Sequence, residues 1–382
     1  MTVTGATDPT FLGWLIATVI VAWIVPARVR PDAAAVMTAT FLGLADPRSL
    51  VVLAALTLIV IVATRRGGRP GSRWMPGAMG LVVVVLFAFK ALDPVRGLLD
   101  GGLVIPLGLS FYTLRCLHVL IECHLGELQP PAPRLLLAYL FFLPTIVAGP
   151  VHRLPAFAAE RPQLDWPRFS AALERILYGY AMIVVISNYL LSDKLFPAMK
   201  PRFAPASAAY QYLDCLDFGL NLYFQFAGYS SIAIGFALLL GHRVMENFDR
   251  PLLRTNLAAF WRAWHVSVTG WCRDYVFSAV FATTRRRWAG LVATMLAVGV
   301  WHGLSLNFVA WGLYHGVGLV VSQAWTGRIL GQRTRGGTAA AALAVGGWLV
   351  TFNFVMIGFA WTKEPDLASA LAVFRIFLAG GP

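Results

Sequence analysis

Long uncharged runs of apolar residues recur along almost the whole of this chain. Two of them, 11-FLGWLIATVIVAWIV-25 and 50-LVVLAALTLIVIVAT-64, contain no ionisable residue at all. A helix needs about 20 mostly apolar residues to cross about 30 Å of hydrocarbon. Because backbone polar groups find no water there, a spanning segment of this kind must be helical. The sequence therefore predicts an all-α, polytopic transmembrane helical bundle.

The composition supports a membrane protein. Of the 382 residues, 58% are hydrophobic and 13% are charged, against about 45–50% and about 25% in soluble domains. Further apolar stretches are predicted as helices at 33–45, 76–91, 103–121, 174–192, 210–241 (as two helices), 257–281, 288–302, 305–323, 339–361 and 367–379. Roughly eleven or more helices follow, some too short to cross the bilayer. No linker interrupts the pattern, so residues 1–382 are predicted to form a single domain.

The net charge of +13 comes mainly from arginines in short loops between apolar runs. These are Arg28 and Arg30; Arg65, Arg66, Arg69 and Arg73; Arg285, Arg286 and Arg287; and Arg328, Arg333 and Arg335. Basic residues in short loops mark the cytoplasmic side of a membrane protein. The positive charge is thus explained without nucleic acid, and membrane lipid is the expected surrounding.

The stretch 135-LLLAYLFFLPTIVAGP-150 departs from the simple pattern of spans. Arg134 precedes it, Arg153 follows it, and Pro144 and Pro150 interrupt it. Basic residues on both sides predict a re-entrant segment. Non-helical backbone at membrane depth persists only where it is buried in protein or lines a wet cavity. The segment is therefore a candidate wall of a site.

The stretch 116-CLHVLIECH-124 holds two cysteines and two histidines within nine residues. Such side chains could bind a metal, but on a helix Cys116, His118 and His124 point to different sides. We therefore expect no metal site. There is also no phosphate-binding loop and no dinucleotide fingerprint, so no tightly bound cofactor is expected.

Polar residues concentrate in one window of the chain. It begins 260-FWRAWHVSVTGWCRDYVFSAV-280 and continues through 299-GVWHGLSLNFVAWGLYHG-316. Ionisable groups inside spans are expensive, so each one indicates either a functional site or a buried polar contact. The candidates in this window are His265, His302, His315, Arg262 and Asn307.

His265 allows two interpretations. If 260–280 is one helix, His265 shares a face with Trp261 and Trp264 and points into the bundle. It could then belong to an aromatic packing seam and bond a neighbouring carbonyl, or it could belong to a polar site. The spacing does not separate these alternatives.

His302 lies between Trp301 and Gly303, where a substrate could approach closely. In dry surroundings it would be a neutral imidazole, which is a good general base. The alternative is a polar contact between helices. His315 lies thirteen residues further on, about 20 Å along an unbroken helix, and is expected to be structural.

Five blocks, in this order, resemble the membrane-bound O-acyltransferase family, above all its bacterial branch of alginate O-acetyltransferase and teichoic-acid D-alanyltransferase. They are 106-PLGLSFYTLRCLHVLIECHLGEL-128, 143-LPTIVAGPVHR-153, 224-FQFAGYSSIAIGFALLLG-241, 247-NFDRPLLRTNLAAFW-261 and the polar window 260–316. The resemblance covers residues 101–382, whereas residues 1–100 agree only in hydropathy.

The resemblance implies a helical bundle with re-entrant segments around a central tunnel. It makes His302, in the Trp-His-Gly motif, the essential catalytic residue and His265 a second catalytic residue. His302 would take the proton of the acceptor hydroxyl as that hydroxyl attacks a thioester. Arg262, Asn307 and Trp301 are candidates for lining the tunnel or stabilising the oxyanion.

The implied function is an integral membrane O-acyltransferase of the bacterial inner membrane. It would transfer a small acyl group, acetyl in the first instance, to a hydroxyl of an exported or cell-surface glycan. The donor would be acetyl-CoA or an acyl-carrier thioester on the cytoplasmic side, and a glycan or a transfer protein would be the extracytoplasmic partner. Two alternatives stay open: D-alanyl transfer from a carrier protein to an envelope polymer, and a transporter or scaffold without enzymatic activity.

Overall fold

Helices make up the regular structure of the protein in a computed structural model, which describes residues 8–67, 72–92, 105–160, 163, 165–325 and 338–379. In these ranges there is no β-strand, only one antiparallel bridge between Phe248 and Trp264. The predicted all-α class is confirmed. Some residues of the predictions lie outside the described part: Arg69, Arg328, Arg333, Arg335 and the start of the predicted helix 103–121.

The chain divides into two compact units, which are described separately. The first comprises residues 1–180 and 229–245. Its helices are α1 (Pro9–Ile24), α2 (Arg30–Ala45), α3 (Pro47–Arg66), α4 (Trp74–Leu92), α5 (Leu109–Leu125), α6 (Pro133–Leu140), α7 (Leu154–Ala159) and α8 (Trp166–Tyr180). Proline occupies the first turn of α1, α3 and α6, where its missing N–H has no partner to lose.

The second unit comprises residues 181–228 and 246–382. A π-helical segment (Ala181–Leu195) precedes α9 (Phe196–Met199), and α10 (Ala208–Leu239) begins in this unit and ends in the first. The remaining helices are α11 (Leu257–Ala263), α12 (Val266–Cys272), α13 (Ser278–Thr284), α14 (Arg287–His302), α15 (Leu306–Trp325), α16 (Thr338–Gly358), α17 (Ala360–Lys363) and α18 (Leu367–Ala379). The number of helices in the described residues agrees with the predicted eleven or more.

Five helical stretches in the described residues are long and apolar enough to cross a membrane. They are Pro47–Arg66, Trp74–Leu92, Trp166–Arg202, Ala208–Leu239 and Ala340–Lys363. The shorter apolar helices α1 and α18 accompany them. The protein is therefore a multi-pass membrane protein.

The prediction of two helices in 210–241 is wrong, because α10 is one helix of 32 residues. Its glycines tolerate close packing without ending the helix. At Gly219, a Cβ would lie 2.6 Å from the ring of Phe359 and 2.8 Å from the sulfur of Met356. Glycine here makes room for neighbouring side chains, and no proline breaks the backbone ladder.

The stretch 135–150 is broken, as its prolines predict. Helix α6 ends at Leu140, and only one 3₁₀ turn (Leu143–Thr145) precedes α7. The irregular backbone is buried within the first unit, where the fully buried Arg115 donates to the carbonyl oxygens of Tyr139 (3.3 Å) and Thr145 (3.4 Å). A guanidinium thus supplies donors to carbonyls that have no helical partner.

Asp32, at the start of α2, binds Arg134 at the start of α6, with 2.8 Å between Oδ1 and Nε. The hydrogen bond and charge of Arg134 lower the pKa of Asp32. A carboxyl with a lowered pKa stabilises the fold above its unfolded pKa of about 3.9 and loses that effect as pH falls through the folded pKa.

Asp32→Asn is expected to lower the melting temperature slightly at neutral pH. The difference from wild type should shrink below about pH 4 and at high salt; a difference independent of both would contradict this role.

Candidate active site

His265 and His302 come together through Trp301. The ring of Trp301 lies 6.0 Å from that of His265 and 4.8 Å from that of His302, measured between centroids and edge-on in both cases. Two blocks that are distant in the sequence therefore form one cluster in the second unit.

The prediction of a continuous helix through 260–280 is wrong. Helix α11 ends at Ala263, α12 begins at Val266, and His265 between them has a left-handed backbone with φ 48°. Two backbone hydrogen bonds to the segment 247–249 pull the chain out of the helix: Asp249 N–H to Ala263 O and Val266 N–H to Asn247 O, each 2.9 Å. Tertiary pairing, not helical spacing, places His265.

Asn247 is a site residue that the sequence did not single out. Its side chain is fully buried, and its Oδ1 lies 3.0 Å from Nδ1 of His265 and 2.8 Å from Oγ of Ser267. Asn247 opens the block 247-NFDRP-251, but 18 residues separate it from His265. Only the bridge between the two segments makes them neighbours.

Aromatic rings surround both imidazoles. Phe226 meets His265 edge-on at 4.6 Å, and the ring of Phe248 lies nearly parallel to that of His265 at 6.4 Å. On the other side of Trp301, His302 stacks on Phe308 at 6.0 Å and meets Trp311 edge-on at 5.8 Å. These aromatic side chains hold the two imidazoles in place. The imidazole nitrogens are the polar atoms of the cluster.

The two histidines differ in exposure. His265 is 3% exposed, whereas His302 is exposed, because it is the last residue of α14 and the chain turns away at Gly303. The dry surroundings expected for His302 are found around His265 instead. Of the two imidazoles, His302 is the one with an exposed surface.

The other residues of the polar window take different positions. Arg262 is exposed on α11, one turn before the buried His265. Asn307 is buried and donates from Nδ2 to the carbonyl oxygen of Glu364 (2.9 Å), beyond the end of α17. His315 is buried against Trp261 and Trp311, with centroids 5.1 and 4.9 Å away. Trp301 alone among the tunnel and oxyanion candidates lies between the histidines.

The stretch 116-CLHVLIECH-124 lies in α5 of the first unit. Among the residues that the structure describes, no three His, Cys, Asp or Glu side chains are grouped so that they could hold a metal ion. Nε2 of His118 instead accepts the backbone N–H of Leu154 (3.2 Å), and its Nδ1 lies 3.3 Å from Nη1 of Arg153. His118 thus packs against the start of α7.

Gly303 leaves space for the ring that stacks on His302. A Cβ on Gly303 would lie 2.4 Å from Cδ2 of Phe308, while its φ of −167° suits any residue. Gly303→Ala is therefore expected to displace Phe308 and lower activity about 10–100-fold by misplacing His302. Phe308→Leu in the same chain should restore part of the activity by relieving the clash. Full activity of Gly303→Ala, or no rescue by Phe308→Leu, would contradict this reading of the site.

The region that contains the cluster is similar to known proteins. Residues 114–361, which include both histidines, match the model of MBOAT, the membrane-bound O-acyltransferase family. A protein named probable alginate O-acetylase AlgI, from Pseudomonas aeruginosa, is 31% identical over 293 residues, covering 73% of this chain and 52% of that protein. The teichoic acid D-alanyltransferase of Streptococcus thermophilus is 28% identical over 308 residues, covering 73% and 72%.

A peptidoglycan O-acetyltransferase of Helicobacter pylori is 26% identical over 306 residues, covering 72% of this chain and 56% of that protein. The chain spans about half the length of the alginate O-acetylases that it matches. The matched region begins in α5 and ends in α17, and so contains the whole polar window. Because the family model covers well over half of the sequence, this chain belongs to the membrane-bound O-acyltransferase family.

Proposed function

We propose that the protein is an O-acyltransferase that moves an acetyl group from a thioester to a hydroxyl of an exported or cell-surface glycan. The observation that carries the proposal is the cluster of His265, Trp301 and His302 within the matched region. An exposed imidazole beside a buried one, in an apolar surrounding, suits proton transfer to and from oxygen. Relatives named as acetylases of alginate and peptidoglycan support acetyl as the group.

In the proposed reaction the acceptor hydroxyl attacks the thioester carbonyl, and His302 takes its proton. The new C–O bond forms, the C–S bond breaks, and the leaving thiolate receives the proton from the imidazolium. General-base catalysis of this kind contributes about 10²–10⁴-fold. Alignment of both substrates would supply much of the remaining rate. Arg262, Asn307 and Trp301 remain candidates for contacting the substrates or the oxyanion.

The positions of charge along α14 support a reaction across the bilayer. Arg285, Arg286 and Arg287 lie at its start and His302 at its end, about 24 Å apart for 16 residues at 1.5 Å each. Basic loops favour the cytoplasmic side. The proposal therefore puts His302 toward the extracytoplasmic half of a bacterial inner membrane, in a central tunnel that an acyl thioester enters from the cytoplasm.

The proposed partners follow from this sidedness. Acetyl-CoA or an acyl-carrier protein would bring the acyl group to the cytoplasmic face. The glycan itself, or a protein that passes the acyl group on to it, would meet the other face. Membrane lipid surrounds the helices, and no tightly bound cofactor or metal takes part.

The test is a transfer assay with purified protein in liposomes. Isotopically labelled acetyl-CoA is supplied on one side and an oligosaccharide on the other, and the ester product is identified by mass spectrometry. The proposal expects an acetyl ester on the sugar that depends on the protein and on its catalytic histidine. Proton-coupled solute uptake without any turnover of thioester would favour a transporter instead.

D-Alanyl transfer is a second candidate, and one observation favours it. The match to the teichoic acid D-alanyltransferase of Streptococcus thermophilus covers 72% of that protein, more than the match to the alginate O-acetylase of Pseudomonas aeruginosa does. Supplying D-alanyl carrier thioester in the same assay separates the two. Transfer of D-alanine and not of acetyl would replace the first candidate by the second.

A further inference from the structure

We propose that Asn247 is a positioning residue that holds His265 in the tautomer protonated on Nδ1, so that Nε2 serves the site as a hydrogen-bond acceptor. The inference rests on the proposed acyl transfer, because in that reaction Nε2 of His265 could either accept or donate a hydrogen bond. The tautomer assigns it the role of acceptor. The tautomer itself follows from the contacts of Asn247.

The identity of the side-chain atom facing His265 is fixed by a backbone group. The Oδ1 atom of Asn247 lies 3.3 Å from the backbone nitrogen of Ser267, within hydrogen-bond geometry. A backbone N–H can only donate, so this atom must be the amide oxygen and not the amide nitrogen. The same oxygen lies 3.0 Å from Nδ1 of His265. An oxygen without a hydrogen can only accept, so Nδ1 of His265 must carry the proton.

Contacts with several neighbouring groups hold Asn247 and His265 in this arrangement. Asn247 is 0% and His265 3% exposed, and Val266 N–H binds Asn247 O (2.9 Å), so the two segments cannot slide. The hydroxyl of Ser267 adds a third bond to the same oxygen (2.8 Å). Phe226, edge-on at 4.6 Å, packs directly against the imidazole ring. An amide bound in this way acts as the second group that orients a catalytic imidazole.

The consequence is a division of roles. A neutral imidazole with its proton on Nδ1 has a lone pair on Nε2. His265 can then accept a hydrogen bond from the acceptor hydroxyl, but it cannot donate to an oxyanion from Nε2. Oxyanion stabilisation must come from another group. The neighbours Asn247, Ser267, Phe226, Phe248 and Trp301 are uncharged, and His302 of α14 is a titratable side chain that lies across Trp301 from His265.

The direct test is spectroscopic and needs no substrate. Protein labelled with ¹⁵N-histidine is reconstituted in lipid, and its imidazole nitrogens are observed by solid-state NMR at a pH where histidine is neutral. The His265 signals are assigned by their loss in His265→Gln. We expect a protonated Nδ1 and an unprotonated Nε2. A neutral His265 protonated on Nε2 would overturn the proposal.

The second test is kinetic and uses two substitutions at one position. Asn247→Ala removes the accepting oxygen and is expected to lower kcat about 10–100-fold with the donor KM unchanged. Asn247→Asp keeps an accepting oxygen and should retain much of the activity. Its carboxylate favours the charged imidazolium, so a higher pH is needed to keep His265 neutral. The acid limb of the rate–pH profile should therefore move to higher pH.

A purely structural amide predicts a different outcome. The two variants would then lose activity together, with no change in the pH profile, and this result would overturn the positioning role. Asn353→Ala is the matched control, because the side-chain oxygen of this amide on α16 accepts a hydrogen bond from the hydroxyl of Tyr212 and not from a histidine; its pH profile should match wild type. If wild-type protein transfers no acyl group at all, the proposed function fails while the NMR result still decides the tautomer.

Discussion

Replacing His302 by alanine is expected to lower acyl transfer by about 10²–10⁴-fold, the range that general-base catalysis supplies. The substitution removes the imidazole with the exposed surface, and it leaves His265, Trp301 and Asn247 in place. His302→Ala removes ring contacts with Trp301, Phe308 and Trp311, but because His302 is exposed at the end of α14, it leaves no buried cavity. The protein should therefore express and melt nearly as wild type does.

The measurement is kcat/KM for acyl transfer in liposomes, with melting temperature and expression recorded alongside. Ser305→Ala is a suitable control, because Ser305 is exposed three positions later and should keep its activity when changed. Residual hydrolysis of the thioester by water can be followed in the same assay. Unchanged transfer by His302→Ala would show that the catalytic assignment is wrong.

Gly299→Ala is expected to give the largest loss of stability among the substitutions considered. Helices α14 and α15 touch at this point, and a Cβ on Gly299 would lie 2.3 Å from the carbonyl oxygen of Phe308. A backbone atom cannot rotate away, so the two helices must separate. Overpacking of this kind costs about 1–3 kcal/mol. Since Trp301 and His302 lie in the next turn, activity should fall as well.

The control for this substitution is Gly346→Ala, in the interior of α16. A Cβ there would meet nothing within 4 Å, so only the better helix propensity of alanine remains, worth up to about 1 kcal/mol. Both variants gain the same helix propensity from alanine. The difference between their melting temperatures therefore measures the effect of the clash at position 299. Equal melting temperatures would mean that α14 and α15 are not held as closely as described.

The sequence was a good guide to the helices. Apolar runs predicted α1 to α4 within a few residues, and Pro144 marked the break after α6. It was a poor guide to the backbone around His265. The spacing of Trp261, Trp264 and His265 favoured one helix, but the bridge between Phe248 and Trp264 interrupts it. Local periodicity carries no information about a partner segment 16 residues earlier.

The missed residues share a common cause. Asn247 and Arg115 each lie in a block that resembles the family, but neither block distinguishes them from its other polar residues. Their importance comes from what they bind: a histidine ring for Asn247, and two carbonyls of irregular backbone for Arg115. These contacts join segments 18 to 30 residues apart. Hydropathy cannot reveal these contacts, because it indicates whether a side chain is buried and not which group that side chain binds.

By itself, the sequence determined that this chain is helical and lies in a membrane, because a chain with so little charge and so many apolar runs cannot fold stably in water. Its ordered motifs also made His265 and His302 candidates for the catalytic site. Tertiary structure alone decided that His265 is buried and His302 exposed, that Trp301 lies between them, and that Asn247 faces Nδ1 of His265. The reason is physical: a tautomer and a reachable nitrogen depend on atoms a few ångströms away, and those atoms come from other parts of the chain.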